Sequence, residues 1–179
     1  FMDYPDINTN AFLNFISTLA NENVRPASGL SALQQRDNGK YIQVPTKLIN
    51  KYPVDHCWYN AKQHAIDNSG QVVFGWALWQ LSNNKFVAQH HAIYQDKNGQ
   101  YQDVTLARSG VDKILFFVDN RAPFDYINLR CPVNFEYVDE GESVWFTHGM
   151  DKPDFFIAKL SGSKYVNDLI EKWKESGEI

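Results

Sequence analysis

His90-His91-Ala92-Ile93-Tyr94-Gln95-Asp96-Lys97-Asn98-Gly99-Gln100-Tyr101-Gln102-Asp103-Val104-Thr105 is the stretch on which the reading of this chain turns. Two strand-like runs flank Asp96-Lys97-Asn98-Gly99, which is a hairpin signal. A type I turn with Gly99 in the left-handed position gives a three-residue loop with a bulge, and that loop pairs Asp96 with Gln100. Counting back, Ile93 pairs with Asp103 and His91 with Thr105. Alternate residues share a face, so His91 and Asp103 are diagonal neighbours within reach of a carboxylate–imidazole hydrogen bond. A two-residue turn at Asn98-Gly99 shifts the pairing by one and brings His90 to the face of Asp103 instead. The longer loop is preferred, because Asp96 suits the first turn position and Gly99 the left-handed one.

Upstream, Pro53 and Asp55 precede a predicted helix over Cys57–Asp67, closed by Asn68-Ser69-Gly70. Cys57 stands at its start. Free N–H groups and the positive end of the helix dipole favour a thiolate there and lower a cysteine's pKa. The same amides are available as an oxyanion hole. The order Cys57, His91, Asp103 is then the layout of a thiol acyl-transfer site. The thiolate attacks a carbonyl carbon, the imidazole takes and returns the proton, and the carboxylate holds the imidazole. The hairpin parity implies that the Cys57 helix packs on the side of the sheet that buries Ile93. The plainer alternative is a buried structural cysteine with a surface histidine.

The remaining histidines offer less. His56 is adjacent to Cys57, which is poor geometry for a general base. His64 lies two helical turns away, about 10 Å along the axis, and reads as a surface residue. His148 sits in a polar turn. No C-x-x-C or H-x-x-x-H pair appears, so no metal is expected. There is no Gly-rich phosphate loop and no G-x-S-x-G elbow, so no cofactor is expected either. Cys131, beside Pro132, reads as a small buried hydrophobe rather than a disulfide partner of Cys57.

Along the chain, Asn8-Thr9 caps a helix with Phe12, Phe15, Ile16 and Leu19 at helical spacing. Residues 21–29 read as a loop, and Asp37-Asn38-Gly39 as a turn before a strand at Tyr41–Val44 ended by Pro45. Thr46–Lys51 reads as one helical turn. Strands are expected at Gln71–Gln80, Phe86–Gln95, Gln100–Leu106, Ile114–Val118, Val133–Val138, Ser143–Thr147 and Phe155–Leu160. Ser163 caps a terminal helix with Tyr165, Val166, Leu169, Ile170 and Trp173 on one face. The fold class is α+β, a largely antiparallel sheet with the Cys57 helix packed on it.

The 179 residues are 44% apolar and 21% charged, which suits one domain over 1–179 with an aromatic-rich core. The net charge is −4 with no Lys/Arg run, which argues against nucleic acid and anionic membrane as partners. No apolar stretch nears a membrane span and no signal peptide is visible, so a cytoplasmic location is expected.

The segments Cys57-Trp58-Tyr59-Asn60-Ala61, Val72-Val73-Phe74-Gly75-Trp76, His91-Ala92-Ile93-Tyr94 and Asp103-Val104-Thr105 resemble, in order and spacing, the core of the transglutaminase-like superfamily within the papain-like class. The resemblance covers about 50 residues of the chain. It implies Cys57 as nucleophile, His91 as base and Asp103 as orienting carboxylate. It further implies a protein, peptide or other amide as substrate, in a protease, deamidase or transamidase. Papain-like sites often complete the oxyanion hole with a side-chain donor, for which Gln43 and Tyr41 are candidates. Trp58, Trp76 and Trp79 are candidates to line a substrate cleft, against the plainer role of core packing. The chain is similar to arylamine N-acetyltransferases only in its Cys, His and Asp and an Asn after the Cys. Their Arg-Gly-Gly before the Cys is replaced by Val54-Asp55-His56. The superfamily also contains non-catalytic members, so a protein-binding domain on the same fold is the alternative function.

Overall fold

The protein is described by a computed structural model covering residues 2–22, 32–47, 49, 52–105, 112–147, 150–151, 157–159 and 163–179. Its elements follow the order α1 (Asn10–Asn21), α2 (Ala32–Gln35), β1 (Tyr41–Pro45), α3 (Cys57–Asn68), β2 (Gln71–Ser82), β3 (Lys85–Gln95), β4 (Tyr101–Gln102), β5 (Lys113–Val118), β6 (Arg130–Pro132), β7 (Asn134–Val138), β8 (Val144–Thr147), β9 (Met150–Asp151), β10 (Ile157–Lys159) and α4 (Lys164–Ser176). This is an α+β fold with a mostly antiparallel sheet. The predicted caps are in place: the Thr9 side chain accepts from Phe12 N and the Ser163 side chain from Val166 N. Among the described residues no helix is long and apolar enough to cross a membrane.

The strand order β1-β5-β2-β3-β7-β8-β9 has one branch, β4, which pairs with the end of β3. Immediately after β4 the chain turns to β1. Asp103 N donates to Pro45 O (2.9 Å), Lys47 N donates to Asp103 O (2.8 Å), and Thr46 and Asp103 form a parallel bridge. The strands β1, β5, β2, β3 and β4 therefore close into a ring. Thr46 and Lys47 belong to this bridge and not to a helical turn. The expected strand Gln100–Leu106 is cut to Tyr101–Gln102 for the same reason, as the backbone of Asp103 is already bonded to β1; Leu106 lies outside the described residues. The expected loop over 21–29 and the turn at His148 also lie largely or wholly outside them.

Ring closure gives the sheet two separate cores. Val44, Val73, Ile93, Ile114, Phe116 and Val118 pack together on one face. On the other face α1 lays Phe12, Phe15 and Leu19 on Trp76, Leu78, Phe86, Leu115, Phe117 and Phe135. Burying side chains of this size stabilises the fold by about 1.5–3 kcal/mol each. α3 covers a further part of this second face, its Ala61 and Ala65 against Ala92 and Tyr94. This corrects the expectation that the Cys57 helix lies on the Ile93 side. The alanines sit four apart on one helix face, where their small side chains let the helix approach Ala92 closely. Ile93 is taken by the interior of the ring.

Beside α3, α4 is fixed by Tyr165 OH donating to Asn60 Oδ1 (2.7 Å) and Trp173 Nε1 donating to Gln63 Oε1 (3.0 Å). Val166 and Trp173 are buried in the cluster that also holds Tyr59, Phe124 and Cys131. The strands β6 and β9 were not foreseen. Each is no longer than three residues and is defined by its pairing, β6 with β10 and β9 with β8.

Candidate functional site

The hairpin after β3 has the loop that the turn residues call for. Asp96 N donates to Gln100 O (2.9 Å), Gly99 N donates to Asp96 O (3.0 Å), and Gly99 takes φ +84°. Asp96 Oδ1 accepts from Asn98 N and Gln100 N, which locks the turn. Tyr94 pairs with Gln102 and Gln95 with Tyr101, so the register is the one that sets His91 and Asp103 on a common face. His91 Nε2 lies 3.0 Å from Asp103 Oδ1. The backbone of Asp103 is clamped to β1, and its carboxylate also accepts from Thr105 N (3.2 Å) and, at the limit of bonding distance, from Thr46 Oγ1 (3.5 Å). It is 1% exposed.

The second nitrogen of His91 is left for the third member. His91 lies beside Cys57, near enough for the two side chains to act on each other. Burial pulls the imidazole's pKa down, but Asp103 and then Cys57 prevail and hold it well above its usual 6.5. With Nε2 on Asp103, Nδ1 is the nitrogen left for the thiol. Cys57, His91 and Asp103 are thus contiguous, in the order the sequence suggested.

The sheet makes room for this meeting. Along the side of β3 away from β2, β7 pairs with Lys85–Ala88 and β4 with Tyr94–Gln95. No described strand pairs with the residues between. The first turn of α3 meets β3 there, Trp58 bonding to His90 and Cys57 lying beside His91. In β2, Gly75 is the residue paired with His91, and a Cβ there would stand 2.0 Å from Phe117 O. Only glycine allows β5 to close so tightly beneath the histidine.

Cys57 enters its helix through a tight turn. Asp55 sits in the left-handed region at φ +63°, a conformation aspartate tolerates better than most residues. His56 occupies the N-cap position with no side-chain cap bond, and its Nδ1–H donates back to Val54 O (2.7 Å). The leading amides of α3 therefore have no side-chain cap. His56 is not a competing base, since it is turned toward its own loop. Asn60, fully buried one turn into α3, donates to Pro53 O (2.9 Å) and Thr105 Oγ1 (3.0 Å) and accepts from Tyr165. Its importance was not read from the sequence, where it appeared only as part of the stretch after Cys57.

The other candidates separate. Trp58 is half-buried at the site, its ring stacked on Phe124 at 5.1 Å and its Nε1–H on His90. Trp76 is 0% exposed and donates to Asp119 Oδ2 (3.1 Å). It is a core residue, because strand parity in β2 aims it with Leu78 at α1. Trp79 is buried on the opposite face. Gln43 pairs with Leu115 and shares the face of Tyr41, which packs on Phe12 of α1. Gln43 and Tyr41 therefore face away from His91, and the inward Ile42 and Val44 dictate that parity. His64 is half-buried rather than on the surface, its Nδ1 3.1 Å from Tyr52 OH.

Both cysteines are free thiols. Cys131 is packed among Tyr59, Phe124, Val166 and Trp173, and burial, with the Cys57 charge second, pushes its thiol up to about 12. Among the described residues no group of three or more His, Cys, Asp or Glu side chains is gathered as for a metal ion. No family model, no curated protein and no solved structure matches this chain.

Proposed function

We propose that this chain is a thiol-dependent acyl-transfer enzyme acting on amides, on a papain-like or transglutaminase-like core. The observation that carries the reading is His91, raised in basicity, bonded to buried Asp103 and adjacent to Cys57. In this reading the Cys57 thiolate attacks the amide carbon, and the carbonyl π electrons move onto oxygen. The uncapped amides at the head of α3 receive that oxyanion. As the tetrahedral species collapses, the C–N bond breaks and His91 Nδ1–H gives its proton to the departing amine. Neutral His91 then takes a proton from water or from a second amine, whose lone pair attacks the thioester carbon. The acyl group leaves as acid or new amide, and the thiolate and imidazolium are restored. Asp103 holds the ring and stabilises the imidazolium throughout.

The test is a pair of probes on the folded protein, iodoacetamide and an acyl donor such as a peptide p-nitrophenyl ester, which acylates a thiolate and releases p-nitrophenolate. Both should label Cys57 in the wild type, and the acyl probe should fail on His91→Ala with the fold intact. Labelling confined to Cys131, or absent from folded protein, overturns the reading. The alternative, a non-catalytic protein-binding domain, has one observation in its favour: Cys57 is only 5% exposed. It requires the acyl probe to leave Cys57 unmodified.

A further inference from the structure

His90 is 3% exposed and takes no part in the chemistry proposed above. Its ring makes two short hydrogen bonds. Trp58 Nε1–H donates to Nδ1 at 2.9 Å, and Nε2 lies 2.6 Å from Ala122 O. An indole nitrogen can only donate and a carbonyl oxygen can only accept. The imidazole must therefore be neutral, with its single proton on Nε2. A charged ring would set its Nδ1–H against the indole N–H.

The two partners differ in kind. Ala122 belongs to a rigid platform: its N–H donates to Asp119 O at 3.4 Å, and the buried Asp119 carboxylate accepts Arg121 at 2.7 and 2.9 Å and Trp76 at 3.1 Å. Trp58 belongs to the first turn of α3 and follows Cys57 directly. Its carbonyl also accepts from Tyr126 OH at 2.6 Å. His90 thus joins a fixed loop to the turn that bears the nucleophile. It does so in the interval of β3 that, on the side away from β2, no described strand pairs, so no ladder of backbone bonds on that side holds the turn in place.

We infer that His90 is a positioning residue for Cys57. Through the Ala122–His90–Trp58 hydrogen-bond line it fixes the head of α3 so that the thiol faces His91 Nδ1 and the leading amides face the oxyanion. The residue acts on geometry and does not itself exchange protons with substrate. This rests on the thiol-enzyme reading, and it extends the site to the histidine on the opposite face of the strand. Burial holds the ring's pKa down at about 4, which keeps it in the neutral form the line requires.

The test compares His90→Leu with His90→Gln. Glutamine can accept from Trp58 through its carbonyl and donate to Ala122 through its amide, whereas leucine keeps bulk and loses both bonds. The readouts are the iodoacetamide rate at Cys57, the ¹⁵N shifts of the wild-type His90 ring, and the indole proton of Trp58. Leucine should slow alkylation roughly tenfold to a hundredfold, as sub-ångström to ångström misplacements do. Glutamine should restore most of the rate. Phe15→Leu, in the α1 layer and away from the line, should lower the melting temperature without changing the rate. If His90→Leu does not fold, Trp58→Phe removes the same bond from its other end and should reproduce the slow rate.

A folded His90→Leu or Trp58→Phe with the wild-type rate overturns the inference. So does His90→Gln behaving like His90→Leu, or a wild-type ring protonated on Nδ1. The enzyme reading fails separately, by the wild type refusing the acyl probe while these rate differences persist.

Discussion

Asn60 Nδ2 lies 3.0 Å from Thr105 Oγ1, so the helix headed by Cys57 and the loop carrying Asp103 are joined side chain to side chain. The same amide donates to Pro53 O, on the approach to Cys57, and its oxygen accepts from Tyr165 of α4. One buried side chain therefore ties both arms of the site to each other and to the terminal helix.

Asn60→Ala removes three partners at once inside a dry environment. It should cost about 2–4 kcal/mol in urea unfolding, as orphaned buried polar groups do. Thr105→Val, which breaks only the link toward Asp103, should cost about 1 kcal/mol and slow Cys57 alkylation out of proportion to that loss. Equal rates in Thr105→Val and wild type would mean that the link does not steer the carboxylate.

Asp103→Asn should leave the fold intact, because the backbone bonds to Pro45 and Lys47 remain. The carboxamide can still meet His91 but cannot stabilise an imidazolium. Thiol-dependent turnover should fall by roughly a hundredfold or more, with circular dichroism unchanged. A variant that keeps full turnover would remove Asp103 from the mechanism.

The two neighbouring histidines should shape stability against pH in opposite senses. His90 titrates at about 4 in the fold and at its ordinary 6.5 when unfolded, so the unfolded chain binds the extra proton between these values. Its contribution is complete above pH 6.5 and is lost as pH falls toward 4, by on the order of 3 kcal/mol. His91 is raised above 6.5, so its contribution is complete below 6.5 and is lost as pH rises through the raised value. Urea midpoints across pH should show both limbs. His90→Gln should flatten the acid limb alone and His91→Gln the alkaline limb alone. A single variant that flattens both would contradict the assignment.

Gly75→Ala places a methyl group 2.0 Å from Phe117 O and 2.8 Å from Phe116 Cζ, and the former is backbone that cannot step aside. The variant should be destabilised by at least about 1–3 kcal/mol, the usual cost of overpacking, with β5 pushed away from β2. A melting temperature equal to wild type would show that the sheet has slack beneath His91.

What could be read from the sequence divides along the range of the forces involved. The parity of His91 and Asp103 was legible because Asp96 and Gly99 determine the loop within five residues, and strand geometry carries the result outward. The Cys57 helix and both capped terminal helices were legible for the same local reasons. The closing bridge between Thr46 and Asp103 was not, since it joins residues 57 positions apart and no local propensity encodes it. From that omission followed the overlong strand after Gln100 and the wrong face for α3: an open sheet has one core per side, whereas a ring claims its inner side for itself. Trp76 lies in the core instead of a cleft and Gln43 faces away from His91 instead of toward an oxyanion, because residue type alone says nothing about strand parity. His90 is visible in the sequence only as the alternative partner of Asp103, and only the positions of Trp58 and Ala122 reveal its work.

The arm that closes the ring is slight. β4 offers two residues to β3 and a single bridge to β1, against the long ladder shared by β2 and β3. Local opening starts where fewest bonds must break together, and here that arm carries Asp103. Under heat or mild denaturant the carboxylate should swing away while the rest of the sheet stays zipped. Amide exchange at Asp103 and Lys47 would then run ahead of exchange at Trp76 or Phe117. Such a molecule loses its His91–Asp103 pair before it melts, and regains it on cooling without having to refold.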